Sequence, residues 1–291
     1  MYILLSLVKR NILIFLRDKA TVFFSFFSVI IIILLYVLFL GKMQSDSIGQ
    51  LLGNVEGTSW LIASWIMAGI LIVSSITVPL GTLGKIIQDR EDGKINDFYT
   101  SPINRKILAL SYLMSSWIIG FMMVMVNFIL GQLYVLSTGG ELFSLVQTLK
   151  IIGLLLISIM SFSSFFFYIS LFIRSRNAFG LVGTLVGTFI GFLGGIYIPI
   201  GVLSKNVQNI MNIFPTAHAV TLMRRIYMDG AVEEVFANAP SEAYDRYADV
   251  FGLNAYLGNY YFTNFTMLLS LICFGIIFFS LSALKLSKSK L

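Results

Sequence analysis

Few residues in this chain of 291 could do chemistry. It has one histidine, His218, and one cysteine, Cys273. A single thiol makes neither a disulfide nor a thiolate metal site, and Cys273 sits in an apolar run as a small packed hydrophobe. His218 stands close to Pro215 in an amphipathic stretch and reads as a surface or packing residue rather than a catalytic base. Serine and threonine abound in the apolar runs, but no base accompanies them, so they are expected to bond back to their own helices. The segment "GTLGKII" (Gly81–Ile87) lacks the spacing and the Ser/Thr of a phosphate-binding loop. Catalysis, metal binding and nucleotide binding through such a loop find no residues here.

What remains is charge, and it is concentrated. The stretch "KIIQDREDGKINDFYTSPINRK" (Lys85–Lys106) holds five basic and four acidic residues in 22 positions. Within it Ile95, Phe98 and Tyr99 stand at i, i+3 and i+4, one apolar face of a short helix. Asp89, Glu91, Asp92 and Asp97, with Arg90 and Lys94, dress the other sides. Ser101-Pro102 should stop that helix, with Ser101 as cap and Pro102 as first residue of the next. Aromatic anchors within a charged rim have the anatomy of a docking peg. A solvated loop whose aromatics rest on lipid headgroups fits the same pattern, and the residues alone leave both open.

The elements around this segment are membrane spans. Hydrophobic residues make up 57% of the chain and charged residues only 12%, about half the charge of a soluble domain. So much apolar surface needs lipid as its solvent. Six runs are long enough to span: Ala20–Leu40, Ser59–Leu83, Ile107–Leu136, Ile151–Ile173, Phe179–Ile200 and Phe262–Leu284. None contains a charge, which disfavours an ion-coupled carrier. The expected architecture is one all-α membrane domain over residues 1–291. The run Phe23–Leu40 is too long for a signal-peptide core and reads as a retained span. Segments 1–19, 85–106, 174–176 and 285–291 carry 14 of the 20 basic residues. That bias puts both termini and the charged stretch in the cytoplasm. It also accounts for the net charge of +6 without any nucleic-acid partner.

Three further segments carry pattern. Residues 1–19 are too charged to span, yet mostly apolar. Ser6, Arg10 and Arg17 share a helical stripe, with Leu5, Val8, Ile12 and Phe15 elsewhere, as in a helix lying in the interface plane. In the fifth span Gly183, Gly187 and Gly191 recur every four residues, a small-xxx-small face for close helix packing within the subunit or across a dimer. Gly194-Gly195, Pro199 and Gly201 predict a broken end to that span. In the outer loop, 202–261, Val207, Ile210, Met211 and Phe214 recur at helical spacing and predict a re-entrant or interfacial helical pair bent at Pro215. The tyrosine-rich remainder reads as a small helical cap whose tyrosines form an interfacial belt.

Taken in order, these segments resemble the membrane subunit of ABC-2-type exporters. That family carries a loop of the form E-R-E-x-G-T, then (S/T)-P-(I/V)-x-R, before its third span. Glu91, Gly93, Ser101, Pro102 and Arg105 match it, while Asp89 replaces the first Glu and Lys94 the Thr. The phrase "FPTAHAVTLMR" (Phe214–Arg224) is similar to the family's "NPLTYAIEALR" at Pro215, Thr216, Ala217 and Arg224. The resemblance implies two six-span permeases, alike or different, working with two separate ABC ATPase subunits that bind ATP and Mg. This chain then has no cofactor and no catalytic site of its own. Asp89, Arg90, Glu91, Gly93, Ile95, Phe98, Tyr99, Ser101 and Pro102 would form the coupling helix region seated on the ATPase. The second and fifth spans would line the dimer axis, bringing Gly183, Gly187 and Gly191 to it. Trp65, Ser75, Thr184, Thr188 and Phe192 are placed on the substrate path by span position alone. The implied cargo is an amphipathic drug, as in multidrug resistance, or a peptide or lipid, moved outward across a prokaryotic cytoplasmic membrane. A membrane enzyme or assembly scaffold without an ATPase is the alternative from another class.

Overall fold

The computed structural model describes residues 2–23, 26, 30, 34, 48–49, 55–101 and 103–288. The expected first span lies outside the described residues beyond position 23, apart from those few positions, as does Pro102, and Tyr99 is described by its backbone alone. Helix α1 (Tyr2–Arg17) comes first, and α2 is Thr58–Glu91. A short α3 (Lys94–Thr100) leads to α4 (Arg105–Ser137), α5 (Leu145–Ser170) and α6 (Arg176–Leu193). The cap-side segment then gives a 3-10 turn at Ile200–Val202, α7 (Lys205–Ile213), α8 (Pro215–Tyr227), α9 (Asp229–Phe236) and α10 (Ser241–Phe251). A two-stranded hairpin, β1 (Tyr256–Leu257) with β2 (Tyr260–Tyr261), precedes α11 (Asn264–Lys288). Among the described residues, α2, α4, α5, α6 and α11 are long and apolar enough to cross a membrane.

Helix α2 is the centre of the bundle. Every residue from Trp60 to Ile72 is buried, which is what a helix apolar on all sides demands. Its 34 residues extend about 50 Å, well beyond a hydrocarbon core of about 30 Å. Its last two turns therefore project past the apolar stretch and carry Lys85, Asp89 and Arg90 with them. The apolar count ends this span at Leu83, whereas the helix continues to Glu91. Spans α5 and α11 approach closely where Gly275 meets Ser161: a Cβ on Gly275 would lie 2.7 Å from Ser161 Oγ. That hydroxyl also donates to the Leu271 carbonyl at 2.9 Å, the small-residue packing that lipid favours.

Two sides of the bundle are defined by what meets there. Helix α1, the α2–α4 connection, the end of α5 and the start of α6 gather on one side, called here the N-terminal side. The other side holds residues 194–263. Helix α6 stops at Leu193, and Gly195 takes φ +60, so the glycine pair breaks the span as its sequence predicts. The bend at Pro215 is also present: α7 ends at Ile213, Phe214 is extended, and Pro215 opens α8.

The cap differs from the expected belt. Tyr247 is fully buried, stacked on Phe251 at 4.4 Å and tilted against Phe236 at 5.1 Å. A tyrosine enclosed in this way cannot lie on headgroups. The segment has enough apolar residues to bury its own aromatic core, while Tyr260 and Tyr261 stay exposed on the hairpin.

Candidate functional site

The charged stretch folds into a corner on the N-terminal side, and Asp89 is its hub. Its side chain has no solvent exposure. Arg10 Nη1 of α1 donates to Asp89 Oδ2 at 2.8 Å, and the Tyr112 hydroxyl of α4 donates to the same oxygen at 2.7 Å. Lys85 Nζ, one turn back on α2, lies 3.1 Å from Oδ1. Burying a carboxylate is costly unless it is paired and hydrogen-bonded, and here two cations and a phenol meet that need. Partial burial works against the Arg10 charge, but the hydrogen bond and the charge of Asp89 outweigh it and raise the Arg10 pKa above its ordinary value. Arg10 also lies 5.3 Å from the centre of the Phe98 ring, a cation–π distance.

The neighbouring residues extend this hub. Arg90 donates to the carbonyls of Ser170 at 3.3 Å and Ile173 at 2.7 Å, satisfying groups that the end of α5 leaves open. Arg176, the first residue of α6, pairs with Glu91 at 2.8 Å and with Asp92. Lys94 pairs with Asp92 at 2.8 Å. Gly93, with φ +75, makes the reversal between α2 and α3, a backbone conformation that favours glycine. One short connection is thus tied to α1, α4, α5 and α6.

The structure turns the peg around. Ile95 is buried against the bundle core, and Phe98 is half-buried against it beneath Arg10. A seven-residue helix buries Ile95 and Phe98 on the nearest apolar surface, which is its own spans. The outward side is polar: Glu91, Asp92, Lys94, Asn96, Asp97 and Thr100 are exposed. Asp89, expected in the charged rim, is internal. The cap of α4 is Asn104, whose side chain accepts from Lys106 N at 2.9 Å. Ser101 instead donates its hydroxyl back to the Phe98 carbonyl at 2.8 Å.

The residues expected on a substrate path separate into two groups. Trp65 is 1% exposed. Its Nε1 donates to the Phe251 carbonyl at 2.7 Å, and the Arg224 guanidinium lies 4.2 Å from its ring centre. Ser75 is buried and bonds back to Ile72. Both are enclosed within the chain by the neighbours of α2. Thr184, Thr188 and Phe192 are exposed on α6, and the two threonines bond back to their own helix. The glycine stripe divides similarly. A Cβ at Gly183 or Gly187 would meet nothing within 4 Å, whereas one at Gly191 would collide with the Tyr197 ring. Gly191 therefore serves packing within the chain. His218 is a packing residue too, buried, with Nδ1 2.6 Å from Ser270 Oγ and its ring against Phe262.

Sequence reasoning missed Arg10, Tyr112 and Arg176 as parts of this corner, and Arg224 as the anchor of the cap side. Arg224 is 1% exposed and donates to the Gly195 carbonyl at 2.8 Å. It stands in the phrase quoted for its family likeness, and an arginine among apolar residues was the available signal. A family model described as ABC-2 type transporter matches residues 2–228. The match ends at Met228, one residue before α9, so most of the cap and α11 lie beyond it. A comparison with curated proteins gives no match.

Proposed function

We infer what this chain does from one premise: it belongs to the ABC-2 type transporter family. It is the membrane component of an ABC transporter, a permease rather than a catalytic enzyme. Our proposal is that a separate ABC ATPase, holding ATP and Mg, seats against α3 and its flanks from the cytoplasm. The stroke of that ATPase drives an amphipathic or hydrophobic substrate outward. The observation that carries this reading is the set of ties at the corner: Asp89 to Arg10 and Tyr112, Arg90 to the end of α5, and Arg176 to Glu91 and Asp92. These ties join the last turn of α2 and the turn before α3 to four other helices, so a displacement of α3 that moves this turn is delivered to all of them. The charge bias of the N-terminal side supports a cytoplasmic placement of both termini. The absence of charge in the spans suits an amphipathic cargo.

On this reading Asn96, Asp97 and Thr100 meet the ATPase, and Ile95 and Phe98 pass the motion inward. A second permease, identical or related, pairs along α6, where Gly183, Gly187, Thr184, Thr188 and Phe192 face out. The test places a cysteine at position 97 (Asp97→Cys, with Cys273→Ser) and applies a short bifunctional crosslinker in native membranes. The expected product is an adduct with a nucleotide-binding subunit whose yield changes with ATP. Recovery of the intact chain with no ATPase, crosslinked or co-purified, would overturn the coupling assignment.

A further inference from the structure

On the cap side, a cavity of about 500 Å³ opens where α5, α8 and the start of α11 meet. Its walls follow a polarity gradient. Gln147 and Lys150 from the first turns of α5, Arg225 at the end of α8, Asp229 and Asn264 line the rim. Deeper along the same helices come Leu154 and Ile157, Leu222, and Leu268. The α5 residues fall at helical spacing on one face, so the gradient runs along the axis of the span. Its polar end lies beside the first turns of α5 and α11, and its apolar end lies further along these two spans. An amphipath with an anionic head and an acyl tail has this same polarity.

The two cations are presented differently. The Arg225 guanidinium is held by the Leu253 carbonyl at 2.6 Å and the Tyr261 hydroxyl at 2.7 Å, and it also bonds Asn264. It is therefore fixed in place. Lys150 is exposed and has no hydrogen bond or ion pair with any described residue. It is a lone cation at the end of an otherwise uncharged span. About one turn beyond Lys150 on α5, Gly153 leaves the wall open: a Cβ there would meet nothing within 4 Å.

We propose that this cavity binds the phosphodiester headgroup of a phospholipid from the cap-side leaflet. Lys150 and Arg225 hold the phosphate, and one acyl chain runs past Gly153 between Leu154, Ile157 and Leu268. Asp229 on the same rim lowers the positive charge of the site, and it accepts hydrogen bonds from a headgroup that carries donors beyond its phosphate. Glycerol hydroxyls meet that requirement. The bound lipid would fasten α8 to α5 and α11. The site lies apart from both the corner and the exposed face of α6, so it stands or fails independently of the coupling proposal.

The test uses the full chain in nanodiscs of phosphatidylglycerol, or of an uncharged diacyl glycolipid, with bound lipid measured by native mass spectrometry after transfer to detergent. Phosphatidylglycerol should be retained selectively and should raise the thermal midpoint relative to the glycolipid. Lys150→Gln should cut retention about fivefold, the effect of one cation near a phosphate surface. Gly153→Leu should cut it as strongly, with every charge left in place. Lys205→Gln, on α7 outside the cavity, should retain lipid like the parent chain. Retention unaffected by both Lys150→Gln and Gly153→Leu would overturn the site. An equal rise in midpoint from inorganic phosphate in lipid-free detergent would assign the pocket to a free anion and overturn the lipid.

Discussion

Helix α2 is fastened near each end by an arginine from another segment, and the two fastenings differ in kind. On the N-terminal side Arg10 meets a carboxylate, Asp89, shared with Lys85 and Tyr112. On the cap side Arg224 meets the face of Trp65 and a backbone carbonyl, Gly195, against the aromatic core of the cap. The Arg10 side chain keeps 28% of its exposure, whereas Arg224 keeps 1%. The contact between ring and guanidinium is dry, so water cannot take the place of either partner. An ionic hub with two cations around one carboxylate can shift its pairing at little cost. On the coupling proposal, the cap side is the fixed end of α2 and the corner is the end that moves. The following substitutions bear on that contrast, from the largest expected effect to the smallest.

Trp65→Ala should be the most destabilising. It removes a fully buried ring together with the hydrogen bond to Phe251 and the surface under Arg224. A loss of about 4 kcal/mol is expected, visible as a large fall in thermal midpoint in detergent. The protein that still folds should keep nucleotide-dependent coupling to its ATPase. A midpoint within a degree or two of the parent would show that the cap side is not the fixed end.

Asp89→Asn should cost somewhat less, about 3 kcal/mol, because it leaves the Arg10 and Lys85 charges without their partner in a largely buried site. Here coupling should fail along with stability. Adding Arg10→Gln should recover part of the loss, since the two side chains share one interaction. Independent, additive losses in the double variant would remove Asp89 from its place as the hub.

Much of this arrangement was legible in the sequence, and the rest was hidden for physical reasons. Apolar runs bounded by charge located the five described spans, and Gly194-Gly195 and Pro215 marked a broken span and a bend through their own backbone restrictions. The burial of Asp89 was not legible. It stands in a run of alternating charges that reads as solvated, and its partner Arg10 lies 79 positions away. The inward turn of Ile95 and Phe98 had the same cause: periodicity identifies an apolar face but does not say which surface covers it. The packing of Trp65 against Arg224 was not legible, because α2 is apolar on every side and its pattern points in no direction. The tyrosines of the cap were read by composition, yet Tyr247 is enclosed by Phe236 and Phe251 from its own segment.

Tyr112→Phe probes the hub more gently. It removes one hydrogen bond to a charged acceptor and leaves both ion pairs of Asp89 in place. A loss of about 1.5 kcal/mol is expected, with coupling weakened but present. Full uncoupling by this change alone would mean that α4 receives its motion through Tyr112 rather than through the packed interface of α2 and α4.

Arg176→Gln should separate stability from coupling most clearly. The Arg176 side chain is 46% exposed and Glu91 43%, so water screens their attraction and the pair contributes under about 1 kcal/mol. The thermal midpoint should barely move. Yet Arg176 opens α6, and its contacts with Glu91 and Asp92 are the ionic link from the α2–α3 turn to that helix. On the coupling proposal, losing them should lower nucleotide-dependent transport several-fold with the fold intact. Salt offers an independent route to the same state. At 1 M ionic strength the screening length falls to about 3 Å, which weakens Arg176–Glu91 far more than the enclosed Asp89 hub or the clasp at Trp65. High salt should therefore depress coupling in the parent chain and have little further effect on Arg176→Gln. A variant that stays as salt-sensitive as the parent would place the mobile contact elsewhere in the corner, with Lys94 and Asp92 as the remaining exposed pair.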